Sequence, residues 1–277
     1  LYGCTPKASE APATGLTRYV DPMTGTAFTG HTFPGAAYPF GMIQLSPDNG
    51  LGGWHVCSGY HYDEPYIYGF SHTHLNGTGC ADLCDVLFMP TSGYKTQKIN
   101  EEDYRSEYSH DNENASPGYY AISLDRWKAD AELTTGQRAA MHHYSYRDAS
   151  AEHQIVIDLT LREYLIDGTL KKVDDHTVCG LRRTHFWADD QPVYFYAEFS
   201  EPIVDAQIED VTWNFRGKQM TRPVKALLSF GGKPEVFVRV GISSVSEENA
   251  RLNLRSELAQ DKGKKAFARQ FDMMRKG

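Results

Sequence analysis

Apolar and polar positions alternate cleanly in "VYFYAEF" (residues 193–199). Val193, Phe195, Ala197 and Phe199 fall on one side, and Tyr194, Tyr196 and Glu198 on the other, which is the period of a strand with one face in a core. Short β-branched and aromatic runs, broken by Gly, Pro, Asn and Asp, predict further strands over residues 41–47, 84–90, 118–124, 138–146, 153–160, 176–183, 192–200, 224–230 and 235–243. "QIVIDL" (residues 154–159) is more uniformly apolar and reads as a central strand. So many strands without intervening helices predict a mainly β fold, a large antiparallel β-sandwich over residues 16–243. The period changes after Ser243. Ser244 is offered as an N-cap with Glu247 as its capping-box partner, and Ala250, Leu254 and Leu258 then recur at helical spacing. After Gly263, Phe267, Phe271 and Met274 form a second helical stripe that reaches "MMRKG" with no further element to cover it. Residues 244–277 therefore read as linker helices leading towards a helical domain, with docking back on the sandwich as the alternative.

Composition narrows the picture. A formal net charge of −8 lacks the basic face of a general phosphate-backbone binder, so nucleic acid is not an expected partner. No apolar run approaches the ~20 residues that span a bilayer. The opening "LYGC" nevertheless has the form of a lipoprotein signal end, with Leu1 three positions before Cys4, although Tyr2 stands where a small residue is usual. The Pro/Ala/Ser/Thr-rich stretch behind it, to residue 15, reads as a tether. The expectation is export, to the periplasm or cell surface, with membrane attachment only through a lipid on Cys4. An arbitrary start with a spare cysteine is the plainer account.

"GFSHTHLNGTGCADLCD" (residues 69–85) gathers two histidines, two cysteines and two aspartates. A zinc site is one reading of His72, His74, Cys80 and Cys84, but the His-x-His spacing is poor for a structural finger. Cys57 could instead pair with Cys80 or Cys84; the pairing among Cys57, Cys80, Cys84 and Cys179 stays open. A third reading is the wall of a substrate pocket. Glycines, prolines, histidines and aromatics are dense here and in residues 25–48 and 52–62, and that combination suits a sugar, whose apolar C–H face is rimmed by hydroxyls. Residues i and i+2 of an extended segment share a face, so His72 and His74 would point the same way.

Three blocks, "VDPMTGTAFTGHTFPGAAYPFGMIQLSPD" (residues 20–48), "GWHVCSGYHY" (53–62) and "GFSHTHLNGTGCADLCDVLFMP" (69–90), resemble the N-terminal signature of glycoside hydrolase family 92, the calcium-dependent exo-α-mannosidases. Met23-Thr24 departs from the family's usual Phe-Ile, which touches only local packing. The resemblance implies an N-terminal sandwich, a helical linker and a larger (α/α)6 helical domain. Together these would hydrolyse α-mannosidic bonds, α-1,2 bonds by expectation, in mannose-containing glycans with inversion. By the same resemblance the catalytic acid and base, and most calcium ligands, belong to the helical domain, outside this chain. The sandwich would supply a pocket rim from His31, Phe33, Trp54, His72 and His74. Asp48, Asp63, Glu64, Asp82 and Asp85 have no context that singles out a catalytic carboxylate. A stand-alone lipid-anchored glycan-binding module is the alternative function.

Overall fold

The computed structural model describes residues 15–162 and 164–276, so Cys4 and most of the expected tether lie outside the described residues. Two antiparallel sheets carry the fold. One has seven strands in the order Ala36–Ala37, Gln44–Asp48, Gly69–Ser71, Leu87–Ser92, His153–Asp158, Lys218–Ser229 and Asp205–Phe215. The other has eight, in the order Leu165–Asp174, Thr177–Thr184, Gln191–Phe199, Glu235–Ser243, Ala139–Tyr146, Ala129–Thr135, Tyr119–Leu124 and Glu113–Ser116. Their inner faces meet in one apolar core. Phe88 of the first sheet lies 6.4 Å from Phe195 and 6.5 Å from Phe199 of the second, and Phe70 lies 6.3 Å from Tyr144. These are the centroid separations at which aromatic rings attract beyond simple area burial. The mainly β sandwich expected from the alternating pattern is thus the fold. The strand His153–Asp158 is flanked on both sides and buried along its whole length, which is why its sequence is apolar without alternation.

The C-terminal segment differs from expectation in two ways. Ser246, not Ser244, caps the first helix, Glu247–Glu257, and its side chain accepts a hydrogen bond from the Asn249 backbone N–H at 3.1 Å. The strand runs on to Ser243, whose hydroxyl accepts from Val245 N–H at 3.0 Å, so Ser244 is still in the turn. Glu247 reaches Lys171 at 2.6 Å rather than closing a capping box. The apolar stripe, moreover, has a partner. Leu254, Leu258, Phe267 and Phe271 are buried against Tyr119, Met141 and Phe237 on the outer face of the eight-stranded sheet. Burial of each such side chain stabilises by about 1.5–3 kcal/mol, so the two helices are an outer layer of the sandwich. Between the layers Glu198 bridges Arg239 (2.6 Å) and Arg255, and the Arg239 guanidinium stacks 4.3 Å above the Phe267 ring.

Candidate functional site

Three chain segments converge at one end of the sandwich. In the first, residues 25–35, His31 adopts a left-handed backbone with φ 54°, and its carbonyl accepts from Gly77 N–H at 2.6 Å. In the second, residues 51–57, Trp54 stands 60% exposed, with its ring edge-on to His31 at 4.1 Å. The third is the loop 72–86. There Gly79, at φ 66°, turns beneath the indole, and a Cβ at that position would sit 3.1 Å from Trp54 Nε1. The left-handed backbone at Gly79 favours glycine, and a Cβ there would crowd the indole.

Beside Trp54 opens a cleft of about 680 Å³, lined also by Cys80, Arg162, Tyr164 and Phe186. No carboxylate lines it among the described residues. Arg162 is almost fully buried and donates to the Val56 carbonyl, while its Nε has no partner. His31 Nε2 is likewise buried without a partner. Left-handed, non-glycine residues collect around this end: His31, Leu83, Cys84, Val86, Arg162 and Tyr164 all have φ between 54° and 70°. Each costs of order 1–3 kcal/mol, and such strain persists where the surroundings over-determine it.

The two histidines of "SHTH" go to different places. His72 is 0% exposed and enters the core between the sheets. Its Nδ1–H donates to the Val86 carbonyl at 2.7 Å, which leaves Nε2 to accept from His142 Nε2–H at 3.1 Å. His142 Nδ1 then accepts from the Tyr144 hydroxyl at 2.7 Å, so the relay is satisfied by two neutral imidazoles. Burial lowers the pKa of His72 to about 4 and holds that of His142 well below its ordinary value. His72 does not reach the cleft. His74 lies 5.4 Å from Phe33, which is half-buried in front of it, and pairs through Nε2 with Asp48 Oδ1 at 3.1 Å. Its Nδ1–H donates to the Gln44 carbonyl at 2.8 Å. Burial works against a charge on this ring, but the attraction of Asp48 and of the Cys84 sulfur outweighs it and raises the pKa to about 10. Burial also opposes charge on Asp48, yet His74 and Arg162 hold its pKa below the ordinary value. Gly59 packs on this pair so tightly that a Cβ would lie 2.6 Å from Asp48 Oδ1.

Asp85 anchors the loop from behind. It pairs with the buried Arg182, whose Nε and Nη2 donate to the carbonyls of Leu159 (3.0 Å) and Leu161 (2.9 Å). Thr73 Oγ1 donates to Asp85 at 2.6 Å. The loop 72–86 and the turn bearing Arg162 and Tyr164 are thus held to one buried guanidinium.

Metal-donor chemistry is limited. Among the described residues one group of three His, Cys, Asp or Glu side chains gathers closely, Asp48, His74 and Cys84, with donor atoms within 4.8 Å of one another. His72 and Cys80 are not in it, so the four zinc ligands suggested by spacing do not assemble. One carboxylate, one imidazole and one thiol also do not fit calcium, which takes six to eight oxygens. The four described cysteines are free thiols. Reasoning from sequence missed Arg162, Tyr164, Phe186 and Arg182. "HFWADD" (residues 185–190), an aromatic pair before acidic residues, was a visible cue for Phe186; for the arginines there was none.

Residues 19–243 match the model of the glycosyl hydrolase family 92 N-terminal domain. The structure of the family GH92 α-mannosidase BT3965 from Bacteroides thetaiotaomicron, solved with and without mannoimidazole, superimposes with a TM-score of 0.79 at 34% identity over 94% of this chain. The GH92 glycosyl hydrolase CcMan5 superimposes with a TM-score of 0.75 at 25% identity, again over 94% of the chain. An uncharacterized secreted glycosidase of Arthroderma benhamiae is 28% identical over 87% of the chain. The chain spans 35% of the length of that glycosidase and 36% of the BT3965 and CcMan5 chains. With the match covering the whole sandwich, this chain belongs to glycosyl hydrolase family 92, as its N-terminal domain.

Proposed function

We propose that the chain is the N-terminal half of an inverting exo-α-mannosidase acting on mannose-containing glycans, with preference for α-1,2 bonds, and that it supplies one wall of the substrate pocket. The observation that carries this reading is Trp54, an exposed indole held by His31 and Gly79 at the mouth of a cleft with room for more than one hexose. Its flat face suits the C–H side of a pyranose, and the unpaired His31 Nε2 and Arg162 Nε beside it are donors or acceptors in want of a partner. Phe33 shields the His74–Asp48 pair, and His72 supports the wall from the core. Inversion needs an acid and a base about 6.5–9.5 Å apart across the bond. With no carboxylate on the cleft wall among the described residues, both are assigned to the remainder of a longer polypeptide, and so is the calcium expected of the family. Residues 244–277 would lead towards that helical remainder.

The test is Trp54→Ala in the full-length polypeptide. We expect kcat/KM for α-mannosides to fall by roughly tenfold or more, equivalent to about 1.4 kcal/mol, with the unfolding midpoint unchanged. Unaltered kinetics would remove Trp54 from the site. Export is supported by the secreted relative, and anchoring by a lipid on Cys4 follows from "LYGC". Intact mass of the native protein reads the lipid directly, and an unmodified Cys4 would end that part of the reading.

A further inference from the structure

We propose that a second cleft, on the far side of Tyr164, continues the Trp54 cleft as a distal carbohydrate subsite, so that the site selects linear oligomannosides of three or more sugars over disaccharides. This rests on the mannoside reading above and deepens it. Tyr164 lines both clefts, and the second has a volume of about 380 Å³. Tyr164 is 41% exposed, its ring stacks on Phe186 at 4.6 Å, and its backbone is left-handed with φ 66°. A tyrosine held in that conformation as a ridge between two concavities is a strained placement, of the kind that marks binding surfaces.

The far wall comes from the edge strand Asp205–Phe215. Val211, Trp213 and Phe215 fall on one face at i, i+2 and i+4 and are half-buried, while Thr212 and Asn214 between them are exposed. His185 bridges the walls, 6.4 Å from Tyr164 and 5.1 Å from Phe215. Val211 and Trp213 pack inward on the core, and Trp213 Nε1 is itself buried, so the accessible aromatic faces of this cleft are those of Tyr164, His185 and Phe215. Among the described residues the lining holds no Asp, Glu, Lys or Arg. Accessible aromatic faces fit the C–H side of a sugar, and continuity across Tyr164 with the first cleft fits the next units of the same chain.

The full-length enzyme should be assayed on an aryl α-mannoside and on linear α-mannobiose, mannotriose and mannotetraose. We expect kcat/KM to rise roughly tenfold from the disaccharide to the longer chains. Phe215→Ala should abolish that rise and leave the aryl mannoside and mannobiose unchanged. His185→Ala, which removes the ring that bridges the two walls, should lower the gain in part. Equal rates for all lengths in the parent enzyme, or a gain that survives both variants in folded protein, would overturn the subsite; the second outcome is the one expected if another part of the polypeptide covers this cleft. If the parent hydrolyses no α-mannoside, the enzyme reading fails separately. Calorimetric titration with mannotetraose against mannobiose then decides the subsite, tighter binding of the longer sugar, lost in Phe215→Ala, supporting it and equal binding refuting it.

Discussion

His72 and His74 stand two residues apart, both buried, and their pKa values move in opposite directions. Burial penalises an imidazolium at either place. At His74 the Asp48 carboxylate lies 3.1 Å away and reverses the outcome; at His72 the neighbours are a carbonyl and another neutral imidazole, and burial wins. The pH consequences differ in sign. His74, with its pKa raised to about 10, contributes stability that is fully present below the ordinary histidine value and lost as pH rises through about 10. Asp48, with its pKa lowered, contributes above the ordinary carboxylate value, and that contribution is lost as pH falls through its depressed pKa. His72, lowered to about 4, and His142, held well below its ordinary value, must stay neutral in the fold, so stability is intact above the ordinary 6.5 and declines from there towards about 4 as the unfolded chain takes up protons. Each contributes a slope of up to about 1.4 kcal/mol per pH unit. We expect the double variant His72→Asn/His142→Asn to be less stable at pH 7 and to show a flatter decline between pH 6.5 and 4, read from urea midpoints. A decline as steep as the parent's would show that these imidazoles are not the acid-sensitive groups.

At the scale of elements, legibility followed burial. Strands with one face in the core, such as Gln191–Phe199, announce themselves by alternation, and the doubly covered His153–Asp158 by an apolar run. The strand Asp205–Phe215 has no buried residue, and Leu165–Asp174 ends in an exposed Lys-Lys-Val-Asp run, so neither carries the apolar signal that the pattern was searched for. The C-terminal stripes were readable as helix faces, Leu254 and Phe271 among them, but their partner was not. The outer face of the eight-stranded sheet becomes apolar only when Tyr119, Met141 and Phe237, from three separate strands, stand side by side. The site shows the same division. That Trp54 and His31 lie in glycine-rich loops was legible from residue type and neighbours; that their rings meet at 4.1 Å was not. Arg162 and Tyr164 became visible only once the turn after His153–Asp158 is folded against Asp85 and Arg182.

On the scale of the whole molecule, under the function proposed above, the sandwich supplies shape and hydrogen-bonding groups and leaves proton transfer to the rest of the polypeptide. Among the described residues, three carboxylates on the segments that build this site are already engaged. Asp48 is paired with His74, Asp85 with Arg182, and Asp82 accepts from the backbone N–H groups of Leu83 (2.8 Å) and Trp187 (3.1 Å). A general acid needs a titratable proton aimed at the leaving oxygen, and a general base needs a free carboxylate one water away from the sugar. Neither is offered by groups locked in this way. We therefore expect residues 1–277, purified and shown by circular dichroism and a cooperative urea transition to be folded, to give no hydrolysis of α-mannosides above background, with or without calcium, while the full-length polypeptide turns them over. Two results would overturn this division. Turnover by the 277-residue chain, abolished by a single Asp or Glu substitution within it, would place the chemistry in the sandwich. A folded full-length polypeptide that binds mannosides and never cleaves them would make the molecule a binding protein, with Trp54 serving recognition alone.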